Sequence, residues 1–292
     1  MGWRTIVITG NAKMEYKLDY LVIRKHEGTA RIHLSEIEML IVESTSASLT
    51  TRLLNELIRF KIKVMFCDQK HDPISELVPY YGCHDVSAKI KQQVNWNEDV
   101  KESVWYSIVK EKIQKQKWHL LLREKTKEAE ILDGYVAELL PGDLSNREGH
   151  AAKVYFNALF GMDFTRDAIN STNAALNYGY GILLSHFNRE IVSSGYLTQL
   201  GLFHGNQFNY FNLSSDLMEP FRIFVDKQIY DLNPSKFGSD EKRDVLLSFT
   251  KSVIIDGKRR EIPAAIRIYC RSVFSALNSG KTDRICFFED EL

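Results

Sequence analysis

The chain has 292 residues, 44% of them hydrophobic and 26% charged, with six prolines and a formal net charge of +0. A chain of this length holds one large domain or two ordinary ones with an adequate core, and the composition is that of a soluble globular protein. No apolar run approaches the roughly 20 residues a membrane-spanning helix needs.

Residues 1 to about 75 read as strands with one helix. Thr5–Thr9, Tyr20–Arg24, Ala30–Leu34 and Met39–Glu43 are short runs rich in β-branched residues. Gly28 lies within Lys25–Thr29, a predicted hairpin turn. Leu49, Leu53, Leu54, Leu57 and Ile58 then recur at helical spacing, with Ser46 or Ser48 as the expected N-cap. Lys63–Cys67 reads as another buried strand. The opening apolar stretch is too short and too strand-like for a signal peptide, and Ile6 occupies the position where a myristoylation motif needs Ser or Thr. A cytoplasmic protein is expected.

Gln69 to Asp85, with Pro73, Pro79 and Gly82, reads as a linker, with 76–85 as the segment that joins the two domains. Beyond it the periodicity changes. Val86–Lys127 is helical in pattern, with Trp96, Trp105 and Trp118 interspersed and Asn97 placed to cap the second helix. From Glu128 onward the pattern stays largely helical, broken at Pro141-Gly142, Gly161, Gly201, Gly205, Pro234 and Gly238. The expected fold class is α+β: a β-rich domain over 1–75 and an all-α domain over 86–292.

The zero net charge conceals local imbalance. Val86–Lys127 holds ten Lys and Arg against five Asp and Glu, and Lys242–Arg271 holds eight against three. Basic patches on a neutral molecule are compatible with DNA contact. Acid gathers elsewhere, notably at Glu289-Asp290-Glu291. The four cysteines, Cys67, Cys83, Cys270 and Cys286, include no Cys-x-x-Cys pair, so neither a zinc site nor a disulfide framework is indicated.

Three separated segments carry the residue types of a metal site: Asn146–Phe156 with Glu148, Gly201–Asn206 with His204, and Asp216–Arg222 with Asp216 and Glu219. Carboxylates with an imidazole suit Mg²⁺ or Mn²⁺, and a site of that kind with open positions suits phosphodiester chemistry. Glu148 shares a helical face with Ala152, Tyr155 and Leu159, which directs it toward the protein. Asn146 is the expected cap of its helix. An acid in a first turn also serves the helix dipole, and that role stays open for Glu148. His204 sits in a glycine-flanked loop, where a backbone approaches a ligand closely; His150 ranks behind it. Asp216 and Glu219 are spaced i, i+3 on a turn that Ser214 or Ser215 can cap, and Pro220 limits the helix there.

Taken in order, the three segments, with the wording Glu148-Gly149-His150-Ala151-Ala152-Lys153-Val154-Tyr155-Phe156 and the ending Pro220-Phe221-Arg222, resemble the CRISPR-associated protein one family, the integrases of CRISPR spacer acquisition. The resemblance covers essentially the whole chain and is greatest to members from type II systems. It implies a metal-dependent DNA integrase and endonuclease that inserts foreign fragments into the repeat array by attack of a 3′-hydroxyl. The implied metal ligands are Glu148, His204 and Glu219, holding one Mg²⁺ or Mn²⁺ ion per active site. Asp216 is a nearby carboxylate that ligates through water or orients the site. The stretch Asn170–Tyr180 is similar to the family's central helix, and Asn173, Asn177, Tyr178 and Tyr180 are its supporting candidates, alongside Arg222. Lys242, Arg243, Lys258, Arg259 and Arg260 are candidate clamps on the DNA backbone. The resemblance further implies a homodimer formed through the strand-rich domains, a small ferredoxin-like partner, CRISPR-associated protein two, and in type II systems the effector nuclease. Two rival readings use the same residues: a branched-DNA repair nuclease without a partner, and a non-catalytic DNA-binding scaffold.

Overall fold

The computed structural model describes residues 2, 4–69, 73–79 and 83–289. The chain divides into two compact units, 1–81 and 82–292. Part of the expected linker and the acidic residues Asp290 and Glu291 lie outside the described residues.

The first unit runs β1 (Arg4–Ile8), β2 (Lys13–Lys17), β3 (Tyr20–Lys25), β4 (Gly28–His33), β5 (Ile37–Val42), β6 (Ser48–Leu49), α1 (Thr51–Arg59), β7 (Lys63–Cys67) and β8 (Pro73–Glu76). One sheet has the order β1-β5-β7-β8, with β1, β5 and β7 parallel and β8 antiparallel at the edge. β5 is buried along almost its whole length, which explains its continuous apolar run. The other sheet, β4-β3-β2-β6, is built on the β2–β3–β4 meander, whose second turn reaches β4 at Gly28, φ 151°. Ile8, Met14, Leu21, Leu40, Val64 and the α1 residues Leu53 and Leu57 form the core of this unit. The cap of α1 is Thr50, whose hydroxyl accepts the Leu53 amide at 3.3 Å, rather than Ser46 or Ser48. The stretch expected as a linker carries β8. Pro73 is tolerated there because an edge strand needs no donor on its outer side.

The second unit is mostly helical: α2 (Val86–Val94), α3 (Glu98–Leu122), α4 (Thr126–Ala137), α5 (Arg147–Phe160), α6 (Ser171–Ser193), α7 (Asn212–Leu217), α8 (Arg222–Leu232), α9 (Ser239–Leu247), β9 (Ser252–Ile255), β10 (Lys258–Glu261), α10 (Ile262–Ser279) and β11 (Phe288–Glu289). Asn97 caps α3 as expected, its Oδ1 accepting the Val100 amide at 3.2 Å. α3 packs against α4, α5, α8 and α10, and α6 against α8, α9 and α10. The unit is not all-α: β10-β9-β11 form an antiparallel sheet. Its β9–β10 hairpin turns at Asp256-Gly257, both with positive φ, and the charged Lys258-Arg259-Arg260 run hides its strand character. β11 closes behind α3, where Lys115 Nζ donates to the Phe288 carbonyl at 2.7 Å and lies 4.2 Å from the Phe288 ring centroid.

Candidate functional site

Glu148 is set by the start of α5. The Pro141-Gly142-Asp143 turn brings the Asp143 carboxylate under the first amides of the helix, where it accepts from Arg147 N at 2.7 Å and Glu148 N at 3.0 Å. Asp143 therefore satisfies two otherwise orphaned donors. Asn146, the expected cap, is left-handed at φ 51° and makes no capping bond with its side chain.

Glu219 opens a single 3₁₀ turn, Glu219–Phe221, between α7 and α8. Pro220 has no N–H to offer the Asp216 carbonyl, and α7 ends at Leu217. Glu219 is 4% exposed. Arg222 reaches its Oε1 at 2.9 Å, and its Oε2 faces Lys112 Nζ at 2.5 Å as a charge partner without a well-directed hydrogen bond.

Lys112 also pairs with Glu148. One buried ammonium thus joins the carboxylate of α5 to that of the 219–221 turn. Burial would raise the Glu219 carboxyl, but Arg222 and Lys112 outweigh it and hold it down to about 2. Burial likewise works against the Lys112 ammonium, and Glu148 and Glu219 overcome it. Sequence reasoning did not single out Lys112. The signal was its place on the buried stripe of α3, in register with Trp105, Ile108 and His119.

Asp216 is fully buried and is the organising group of the His204 loop. Its carboxylate accepts the amides of Leu202 at 2.6 Å, Phe203 at 3.2 Å and His204 at 3.2 Å. It also meets His204 Nδ1 at 2.5 Å. A carboxylate on Nδ1 fixes the tautomer and leaves Nε2 as the nitrogen with a free lone pair. The Asp216 hydrogen bond is the main cause of the raised His204 pKa, with Glu219 and Glu148 adding to it from farther away. Phe203 stacks on Trp105 of α3 at 4.8 Å, and the His204 ring stands edge-on to Trp105 at 5.9 Å. Trp105 and Lys112 are two helical turns apart on one face of α3, so a single helix steadies the imidazole loop and the carboxylate pair. A Cβ on Gly201 would sit 2.3 Å from the His204 carbonyl oxygen and 2.7 Å from Asp216 Oδ2, whereas Gly205 has open space around it. Gly201 is thus the glycine the loop requires.

Among the described residues no three His, Cys, Asp or Glu side chains stand close enough together to hold an ion as they are. The donor chemistry nevertheless fits a divalent ion: Glu148 and Glu219 already converge on one cationic group, and His204 has its second nitrogen fixed in the ligating tautomer. A cavity of about 580 Å³ opens beside His204, lined by Trp96, Lys101, Phe203, Asn206 and Tyr210 among others.

The supporting candidates separate. Arg222 belongs to the site through Glu219, and its guanidinium lies 4.5 Å from the Tyr180 ring centroid. Tyr180 donates to the buried Asp226, whose carboxyl burial pushes up to about 6. Tyr178, two residues away and so on another face of α6, packs against Phe237 and lies under Lys242. Of the two tyrosines, Tyr180 is the one that reaches Arg222 and Asp226. Asn173 does not reach them either: its Nδ2 donates to the Thr165 and Ala168 carbonyls at 2.8 Å, and its Oδ1 accepts from Arg166 at 2.5 Å. Asn177 binds the same Arg166 at 2.7 Å. Lys242 is buried over aromatic rings, 5.0 Å from that of Tyr178, and is no exposed DNA clamp. Arg243, Lys258, Arg259 and Arg260 are exposed.

Residues 6–248 match the family described as "CRISPR associated protein Cas1". A relative named CRISPR-associated endonuclease Cas1, from Neisseria meningitidis serogroup C, is 34% identical over 232 residues, covering 80% of this chain and 76% of the relative. Among solved structures, a casposase bound to integration product superposes with a TM-score of 0.78 at 18% identity, covering 95% of this chain and 91% of the other. A Cas6-RT-Cas1–Cas2 complex gives 0.76 at 17% identity over 97% of this chain and 36% of the other.

Proposed function

Because the chain belongs to the Cas1 family, we propose that it is a metal-dependent DNA integrase and endonuclease of CRISPR adaptation. The reaction is transesterification: the 3′-oxygen of a captured fragment bonds to a repeat phosphorus, the phosphorus–3′-oxygen bond of the repeat breaks, and the proton of the attacking hydroxyl passes by way of solvent to the departing oxygen. The observation that carries this reading is the convergence of Glu148 and Glu219 on one cationic group beside a histidine oriented by Asp216.

Glu148, His204 Nε2 and Glu219 would hold one Mg²⁺ or Mn²⁺, which when bound offsets charge on the pentacovalent phosphate and favours the deprotonated attacking oxygen. Asp216 holds the imidazole in its ligating tautomer. Arg222, held between Glu219 and Tyr180, supplies a fixed positive charge at the edge of the site. Arg243 and Lys258-Arg259-Arg260 bind the DNA backbone. The 1–81 unit joins two copies into a homodimer, and a small ferredoxin-like Cas2 and, in a type II setting, the effector nuclease are the expected partners in the cytoplasm.

The test is integration of a labelled fragment into a repeat-bearing plasmid, with and without Cas2, after thorough chelation and with each ion restored. Mn²⁺ and Mg²⁺ restore strand transfer. Ca²⁺ does not, because it takes longer bonds of roughly 2.3–2.6 Å and flexible coordination. Full activity in EDTA removes the metal mechanism. Cleavage of branched DNA without any partner-dependent integration leaves the repair-nuclease reading instead.

A further inference from the structure

Lys112 is 7% exposed, and its ammonium touches both carboxylates that the proposed reading assigns to the metal. The local charges balance: Glu148 and Glu219 against Lys112 and Arg222. The two cations are not equivalent. Arg222 is held by Glu219 Oε1 at 2.9 Å and by the face of Tyr180, while Lys112 ends a flexible four-carbon stem. A divalent ion on the same carboxylates would stand within a few ångströms of the ammonium, where repulsion in a buried setting is severe. A buried ammonium stripped of its anions is equally unfavourable. It needs another anion within its reach, and a phosphodiester laid against the site supplies one.

Resting on that reading of the metal centre, we propose that Lys112 is a tethered cation that a divalent ion and a DNA phosphate together draw off the Glu148–Glu219 pair, so that metal and DNA bind cooperatively through this one side chain. The ion displaces the ammonium, and the phosphate receives it. Such coupling is reciprocal: DNA raises metal affinity by the factor by which metal raises DNA affinity.

The experiment is calorimetric titration of Mn²⁺ into the full chain, with and without a duplex whose 3′ ends are dideoxy-terminated and cannot react. Wild type is expected to bind Mn²⁺ at least about tenfold more tightly with DNA, within the usual range of allosteric coupling. Lys112→Met should bind Mn²⁺ more tightly than wild type without DNA, and its DNA-dependent factor should fall close to one. Lys112→Gln provides the same test where the Met variant does not fold. An undiminished DNA factor in the folded variant, or metal affinity no higher than that of wild type, overturns the proposal. Glu148→Gln separates the two readings. If it abolishes Mn²⁺ binding while Lys112→Met changes nothing, the Lys112 coupling alone fails. If Mn²⁺ binding survives Glu148→Gln unchanged, the metal centre itself is misassigned.

Discussion

Asp216 Oδ1 stands 2.5 Å from His204 Nδ1, and the same carboxylate receives three successive backbone amides of the loop that carries the imidazole. Asp216→Ala would remove the charged acceptor that those three part-buried amides share. The variant should lose both loop order and strand transfer. Asp216→Asn is the sharper probe: it should lower the His204 pKa, read by NMR, since the Asp216 hydrogen bond is the main cause of its elevation. An unchanged His204 titration would show that the pairing has no energetic weight.

Gly201→Ala and Gly205→Ala form a matched pair. The first places a Cβ 2.3 Å from a backbone oxygen, and the second meets nothing within 4 Å. Gly201→Ala should destabilise by about 1–3 kcal/mol, as overpacking does, and abolish strand transfer. Gly205→Ala should stay within roughly 0.5 kcal/mol of wild type in thermal unfolding.

Tyr180→Phe and Tyr178→Phe should part company. Tyr180 donates to Asp226 beneath the Arg222 guanidinium, so losing its hydroxyl should lower strand transfer. The Tyr178 ring packs on Phe237 and under Lys242, and its Phe variant should keep activity. Equal losses in kinetic assays would return Tyr178 to the site.

Stability should fall as pH drops below about 6.5, in part because of His119. Burial first and Arg123 second depress its pKa from 6.5 to about 3. Arg123 Nε can only donate to His119 Nε2, at 3.1 Å, so the ring proton lies on Nδ1, facing the Tyr155 hydroxyl at 2.7 Å. Below pH 6.5 the unfolded chain takes up a proton that the folded ring refuses, so stability is lost progressively down to about pH 3. The loss is at most about 5 kcal/mol. His119→Gln should flatten that part of the denaturation-versus-pH curve.

DNA affinity should decline steeply with salt through counterion release. Replacing Lys258-Arg259-Arg260 with glutamines should reduce the slope by about one for each phosphate that these side chains neutralise. Lys242→Gln should leave the slope unchanged and reduce thermal stability, because that side chain is buried over aromatic rings. A slope indifferent to the triple substitution would make the hairpin plain solvated surface.

The sequence made the strand-rich front, the helical remainder and the Asn97 cap legible, because β-branched runs and helical periodicity report local preference directly. The carboxylate pair was also legible through Glu148 and Glu219. Lys112 was not: a lysine within an apolar stripe announces burial only once the tertiary partners of that stripe are known. The Asp143 cap was hidden by the Pro-Gly turn that swings it under α5. Tyr178 and Tyr180 could not be told apart before the rotation of α6 was fixed. β10 was obscured by three consecutive cations, since patterning follows burial and this edge strand is exposed throughout.

The ring of Phe288 lies 4.9 Å from that of Phe221 and 4.7 Å from that of Phe224, bracing the turn that presents Glu219. The family match ends at residue 248, so this brace comes from the part of the chain beyond it. Its anchor, Lys115, lies 173 residues earlier. During synthesis the segments carrying Lys112, Glu148, His204 and Glu219 all emerge before the strand that braces the Glu219 turn. A growing chain therefore holds these four side chains before the Phe288 ring is there to pack on the turn beside Glu219.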